Sequence, residues 1–202
     1  MNKNVMELVA EEKIYPIVRS KDAKNAVDVA HALIDGGIKV LEIVVENPSL
    51  YSAIEEISKD AIVCAGGIIT QQQAEQAIEC GARLFSSPLS QMNIVKISKN
   101  KKVPFIAGAS TPNEAYHAWQ ARVPLIKIFP VTALGGVQYI EDMLRPMPFL
   151  KIMPMGHIML KDVPAYIKAG AVSVGVGRDF YDGLNFNEIT KRAKDILNVV
   201  KG

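Results

Sequence analysis

Eight short runs rich in apolar and β-branched residues recur every twenty-odd positions along this chain, and that repeat limits its possible folds more than any other feature. The runs are "IYPIVR" (14–19), "KVLEIVV" (39–45), "AIVCAG" (61–66), "RLFSS" (83–87), "VPFIAG" (103–108), "PLIKIF" (124–129), "FLKIMP" (149–154) and "VSVGVG" (172–177). Between them lie helix-like stretches such as "KNAVDVAHALIDGG", "QQQAEQAIECGA", "NEAYHAWQA" and "VPAYIKAGA". Several reach a glycine, the residue that most readily terminates a helix. A strand, one helix and a further strand form a right-handed βαβ crossover, which makes the strands parallel. Eight such units predict an α/β chain closed into a (β/α)8 TIM barrel, a single domain over residues 1–202.

The near-continuous apolarity of the runs fits strands covered by helices outside and by packed side chains inside. An open, doubly wound sheet is the alternative architecture. It predicts a glycine-rich turn after the first strand, and "IVRSKDAKNA" contains no glycine. The opening segment "MNKNVMELVAEEKI" carries three glutamates and no small-residue cleavage signal, so it reads as a short N-terminal amphipathic helix rather than a signal peptide.

Composition narrows the partners. The formal net charge is +2, with both signs scattered along the chain, which is not the footprint of a nucleic-acid or membrane-surface binder. No apolar run approaches the length of a membrane span. The expectation is a cytoplasmic protein that binds a small molecule, with no nucleic-acid partner and no membrane. Cys64 and Cys80 form no CxxC pair and lie at no metal-ligand spacing from a histidine, which predicts two core thiols, no disulfide and no metal site. His31 and His117 fall in helical stretches without partners at catalytic spacing and are read as structural.

Two charges interrupt the strand pattern. Period-2 alternation puts Leu125, Lys127 and Phe129 on one face of the sixth run, and Val40, Glu42 and Val44 on one face of the second. If those faces point inward, the barrel interior holds one amine and one carboxylate. A buried ion pair of purely structural value, or strand-end charges reaching solvent, would also produce this pattern. The alternative is chemical: a desolvated lysine is the side chain that attacks a carbonyl to form a Schiff base, and a neighbouring carboxylate can move the protons.

The strings "LEIVV", "CAGGI", "SSP", "AGAST", "IKIFP", "PMGHI" and "GVGRDF" follow one another over nearly the whole chain, and together they resemble the 2-keto-3-deoxy-6-phosphogluconate and 4-hydroxy-2-oxoglutarate aldolases. The resemblance implies a small class I aldolase on a (β/α)8 barrel, usually a homotrimer, that cleaves a 2-keto-4-hydroxy acid to pyruvate and an aldehyde without a metal or cofactor. It implies that Lys127 forms the Schiff base and that Glu42 is the general acid and base. It also assigns Pro88 and Phe129 to the substrate-facing surface, and matches Ser110 and Thr111 to the turn after the fifth strand.

Recognition positions depart from that pattern. Glu46 stands where the family commonly has an arginine for the pyruvate carboxylate, and a carboxylate cannot do that job. Arg19, ending the first strand, is the expected substitute, with a strand-capping surface arginine as the other reading. Gly67 replaces a threonine donor and leaves only backbone N–H groups. Met155 replaces a threonine that lines the substrate, and His157 replaces a glycine in the loop that begins at Gly156. After the eighth strand, Arg178 follows Gly177 where the family usually has a serine that helps hold phosphate. An arginine and a histidine at those turns could strengthen an anion site; equally, Arg178 could pair with Asp179 or Asp182 and close it. Two other classes stay open: a phosphosugar epimerase or isomerase that enolises without an imine, and a non-catalytic metabolite-binding relative.

Overall fold

The computed structural model describes residues 4–201, and in it the eight runs become eight parallel strands. These are β1 (Ile14–Val18), β2 (Val40–Val44), β3 (Ile62–Gly66), β4 (Leu84–Ser86), β5 (Phe105–Ala109), β6 (Leu125–Ile128), β7 (Ile152–Pro154) and β8 (Val174–Val176). Each neighbour in sequence is a neighbour in the sheet, and β8 returns to pair with β1. A bridge between Met155 and Gly175 and a hydrogen bond from Val172 N–H to the Ile152 carbonyl close the remaining seam. The strand order is that of a (β/α)8 barrel and excludes the doubly wound sheet.

Local chemistry explains where the helices begin. Asp22 caps α2 (Ala23–Asp35) by accepting from the N–H groups of Lys24 and Asn25. Thr70 and Gln73 form a reciprocal capping box on α4 (Gln71–Glu79), and Thr111 with Glu114 does the same on α6 (Pro112–Gln120). The serine and threonine at 110 and 111 therefore serve the helix entry, both bonding the Glu114 carboxylate. The other outer helices are α3 (Leu50–Ile57), α5 (Met92–Lys101), α7 (Val137–Leu144), α8 (Val163–Lys168) and α9 (Phe186–Lys201).

The apolar residues divide into two layers. One is the broad seam between strands and helices, with Leu33, Leu41, Ile54, Phe85, Ile126 and Phe180 fully enclosed. The other fills the barrel, where Tyr15, Val40, Cys64, Leu84, Ile106, Leu125 and Met153 meet. The N-terminal helix α1 (Val5–Glu12) inserts Val5 and Val9 into that inner cluster, so it plugs the end of the barrel opposite the strand C-termini. Its buried Glu12 is held by Lys201 of α9 at 2.7 Å. With the floor covered, the cavity of the barrel opens toward the C-terminal ends of the strands.

Candidate active site

Alternation along β2, β4 and β6 points Glu42, Ser86 and Lys127 into the barrel above the apolar floor. Lys127 Nζ lies 3.4 Å from Glu42 Oε1 and 3.4 Å from Ser86 Oγ, while the Ser86 hydroxyl donates to Glu42 Oε2 at 2.8 Å. The lysine and glutamate side chains are 7% and 1% exposed, and Ser86 is enclosed entirely. Either charge alone would be costly at that depth; opposed and hydrogen-bonded, each offsets the desolvation of the other. Gly66 on β3 makes room for the carboxylate, since a Cβ there would stand 2.3 Å from Glu42 Oε1.

The remaining neighbours add no charge. Cys64 Sγ lies 3.9 Å from Glu42 Oε2, and burial, reinforced by the Glu42 carboxylate, pushes the thiol well above its ordinary range. Burial does the same to the Tyr15 phenol, with Cys64 and Glu42 adding to it. Both groups stay protonated at neutral pH. The Tyr15 oxygen has no hydrogen-bond partner among the described residues.

Above this group a cavity of about 740 Å³ opens to solvent. Buried Glu42, Lys127 and Met155 line its base, and Gly67 with the exposed Pro88 and Phe129 line its wall. Arg19 and the turns Gly156–His157 and Gly177–Arg178 form its rim. Gly156 has φ 110°, and a Cβ there would come within 3.0 Å of Pro130 Cα, so the turn after β7 lies tight against the end of β6. Thr132 pins it by donating to the Gly156 carbonyl at 2.8 Å. His157 continues the turn in the left-handed region at φ 55° and is exposed.

The rim charges pair unevenly. Arg19 Nη1 sits 2.6 Å from Glu46 Oε1, with side chains 51% and 28% exposed. Its backbone is clamped separately, because its N–H donates to the Tyr181 hydroxyl, which faces the Arg19 carbonyl in turn. Arg19 and Glu46 are thus one unit. Arg178 makes no ion pair among the described residues. Asp179 instead accepts from Leu160 N–H at 2.7 Å and faces Arg192, so the closing pair with Asp179 does not form.

The fold gathers the sequence-predicted positions 19, 42, 67, 88, 127, 129, 155, 156, 157, 177 and 178 around one cavity. It keeps His31 and His117 away, on the barrel's outer helices, beside Glu56 and Gln120 respectively. The two cysteines differ from the shared expectation: Cys64 is enclosed beside Glu42, whereas Cys80 is only partly buried at the end of α4. Sequence reasoning passed over Ser86 and Tyr15. The signal was present in phase, since Ser86 alternates with Leu84 as Lys127 does with Leu125.

Three comparisons with known proteins show what the chain is similar to. The family model for KDPG and KHG aldolases matches residues 5–198. The chain is 29% identical over 196 residues to the KHG/KDPG aldolase of Escherichia coli, covering 93% of this chain and 92% of the relative. It is 27% identical over 207 residues to the 2-dehydro-3-deoxy-phosphogluconate aldolase of Haemophilus influenzae, covering 98% of each. Its fold superposes on the KDPG aldolase of Legionella pneumophila, solved with pyruvate captured as a covalent carbinolamine, with TM-score 0.87 and 24% identity over 97% of this chain and 99% of the other.

Proposed function

Because the chain belongs to the KDPG and KHG aldolase family, we propose that it is a class I aldolase that cleaves a 2-keto-4-hydroxy acid to pyruvate and an aldehyde through a Schiff base on Lys127. The observation that carries this reading is the buried 3.4 Å approach of Lys127 Nζ to Glu42 Oε1 at the base of an open cavity. An amine, a proton carrier and room for a ketoacid stand together there, which is what imine chemistry requires.

In this reading Lys127 passes a proton to Glu42 and attacks the C2 carbonyl carbon as the neutral amine, an amine proton moves to the carbonyl oxygen to give the carbinolamine, and Glu42 returns its proton to the departing hydroxyl. Loss of water leaves an iminium. Glu42 then takes the proton of the C4 hydroxyl, the C3–C4 bond breaks, and its electron pair moves into the iminium to give an enamine and the aldehyde. Protonation at C3 and hydrolysis return pyruvate and the free amine. The iminium is the electron sink, so the reaction calls on no metal or cofactor.

Arg19 is assigned the ketoacid carboxylate, assisted by the backbone at Gly67. Pro88, Phe129 and Met155 shape the wall, and the turns Gly156–His157 and Gly177–Arg178 are assigned the distal anion, phosphate or carboxylate. The family also supports a homotrimer working in the cytoplasm. Tyr116, Trp119 and Phe149 offer a surface cluster of rings for such an assembly to cover, and among the described residues no helix is long and apolar enough to cross a membrane. The test is incubation with pyruvate and a hydride reductant, followed by intact mass and peptide mapping. One pyruvate-derived group on Lys127 is expected; no adduct, or an adduct confined to Lys39, Lys151 or another lysine, overturns the assignment.

A further inference from the structure

Glu42 has two carboxylate oxygens, and they are treated differently. Oε1 faces Lys127 Nζ at 3.4 Å and lies over the bare backbone of Gly66, whereas Oε2 receives the Ser86 hydroxyl at 2.8 Å. Ser86 is fully enclosed on β4, and its oxygen also lies 3.4 Å from Lys127 Nζ. A serine hydroxyl has one proton to give and lone pairs to accept with, so this one satisfies both members of the pair at once.

We propose that Ser86 is a positioning residue for the aldol reaction: it ties Glu42 Oε2, holding the carboxylate so that Oε1 alone serves Lys127 and the bound ketoacid. A carboxylate on a three-torsion side chain can otherwise rotate and present either oxygen, and general-base catalysis depends on a fixed approach to the proton. In this arrangement no other donor facing Glu42 among the described residues, apart from the reacting amine, makes a hydrogen bond as close as this one. Cys64 on β3 is a weak donor at 3.9 Å, and the Tyr15 hydroxyl on β1 has no hydrogen-bond partner among the described residues. Lys127 on β6 is the reacting amine itself. The inference rests on the aldolase reading above, and its test separates the two.

The variants are Ser86→Ala and Ser86→Cys, compared with the unaltered protein over a pH series. The readouts are the rate of reductive trapping with pyruvate and the rate at which the pyruvate methyl protons exchange with solvent. Removing a hydrogen bond to a charged acceptor should slow methyl exchange in Ser86→Ala by about 10- to 100-fold. It should also move the acidic limb of the exchange profile to higher pH, because a donor to the ionised carboxylate favours that form and its loss does the reverse. Tyr15, Cys64 and Lys127 also face Glu42 and are unchanged in the variant. Ser86→Cys, close in size and a weaker donor, should fall between the two; if Ser86→Ala fails to fold, the same shift in Ser86→Cys decides. Wild-type rates and profile in Ser86→Ala overturn the proposal. So does a slowed rate with the profile unmoved, which would make Ser86 a packing residue. Absence of any pyruvate adduct on Lys127 in the unaltered protein would defeat the aldolase reading instead.

Discussion

The inner and outer parts of the cavity solve the problem of holding charge in opposite ways. At depth, Lys127 and Glu42 come from β6 and β2, are nearly sealed from water, and have neighbours at fixed distances, including the hydroxyl of Ser86. At the rim, Arg19 and Glu46 touch at 2.6 Å while half and a quarter exposed, and Arg178 stands without an ion-pair partner among the described residues. Strand positions give rigid geometry and a low local dielectric, which make each interaction strong and each loss severe. Loop and strand-end positions leave charges hydrated, so each contact is weak and replaceable. The positions expected from the sequence to depart from the family's recognition pattern lie mostly at the rim and along the cavity wall, whereas the expected lysine and glutamate lie in the interior.

The sharpest way to break this comparison is Lys127→Met. Trapping and cleavage should fall to background, since among the described residues no other lysine lines the cavity. The substitution also leaves the buried Glu42 carboxylate without its cation, which should cost about 3–5 kcal/mol of folding stability. Denaturant unfolding of Lys127→Met, Glu42→Gln and the double variant tests this directly: the double variant should recover most of the loss suffered by Lys127→Met. If Lys127→Met is as stable as the parent, the interior pair is not the tightly coupled unit described above.

Next in size is Glu42→Gln, which keeps the shape and removes the proton carrier. Pyruvate methyl exchange should slow by roughly 10²- to 10⁴-fold, the usual reach of a general acid or base. Proton NMR of the methyl signal in deuterated water measures it, and an unchanged exchange rate would remove Glu42 from the reaction.

These two residues could be read from the chain because each puts a charge into an apolar run at the inward phase, where only a partner or a use makes burial tolerable. Ser86 carries no such contrast. In "RLFSS" the alternation with Leu84 marks Ser86 as the inward serine, but a neutral hydroxyl is tolerated in a strand without a partner, so its phase alone does not announce a use. The Arg19–Glu46 pair was hidden for a different reason: its members are 27 residues apart, and their contact exists only because β1 and β2 lie side by side. Strand extent was legible to within a few residues, with the largest error at the seventh run. There Phe149 and Lys151 are exposed instead of joining the sheet, and Phe149 packs on Trp119 at 4.6 Å between ring centres. A surface partner for an aromatic residue leaves no mark in strand periodicity.

A smaller effect separates the two rim arginines. Arg19 closes β1 beside β2 and is assigned the carboxylate that every ketoacid carries, so Arg19→Ala should weaken pyruvate trapping by about 10- to 150-fold, the worth of a charge-assisted hydrogen bond. Arg178 follows β8 and should leave pyruvate trapping alone while penalising a phosphorylated ketoacid against an unphosphorylated one. Steady-state kcat/KM for both substrates in both variants decides it. Equal losses on the two substrates in Arg178→Ala would mean that Arg178 supports the barrel rather than reads the distal anion.

The smallest effect belongs to Glu46→Gln. Its carboxylate occupies one side of the Arg19 guanidinium, so an arriving ketoacid carboxylate competes for the same charge. Exposed ion pairs contribute at most about 1 kcal/mol, which is roughly fivefold in an equilibrium. The Arg19 backbone does not depend on that pair, since Tyr181 holds it through the hydrogen bond at 3.0 Å. Neutralising Glu46 should therefore leave the melting temperature nearly unchanged and lower the pyruvate concentration for half-maximal trapping by up to about fivefold, an effect that shrinks as salt screens the rim. A weaker, not stronger, response to pyruvate would show that Glu46 orients Arg19 rather than competes for it. The rim would then hold its charges as firmly as the interior does, and the contrast between the two parts of the cavity would fail at its outer end.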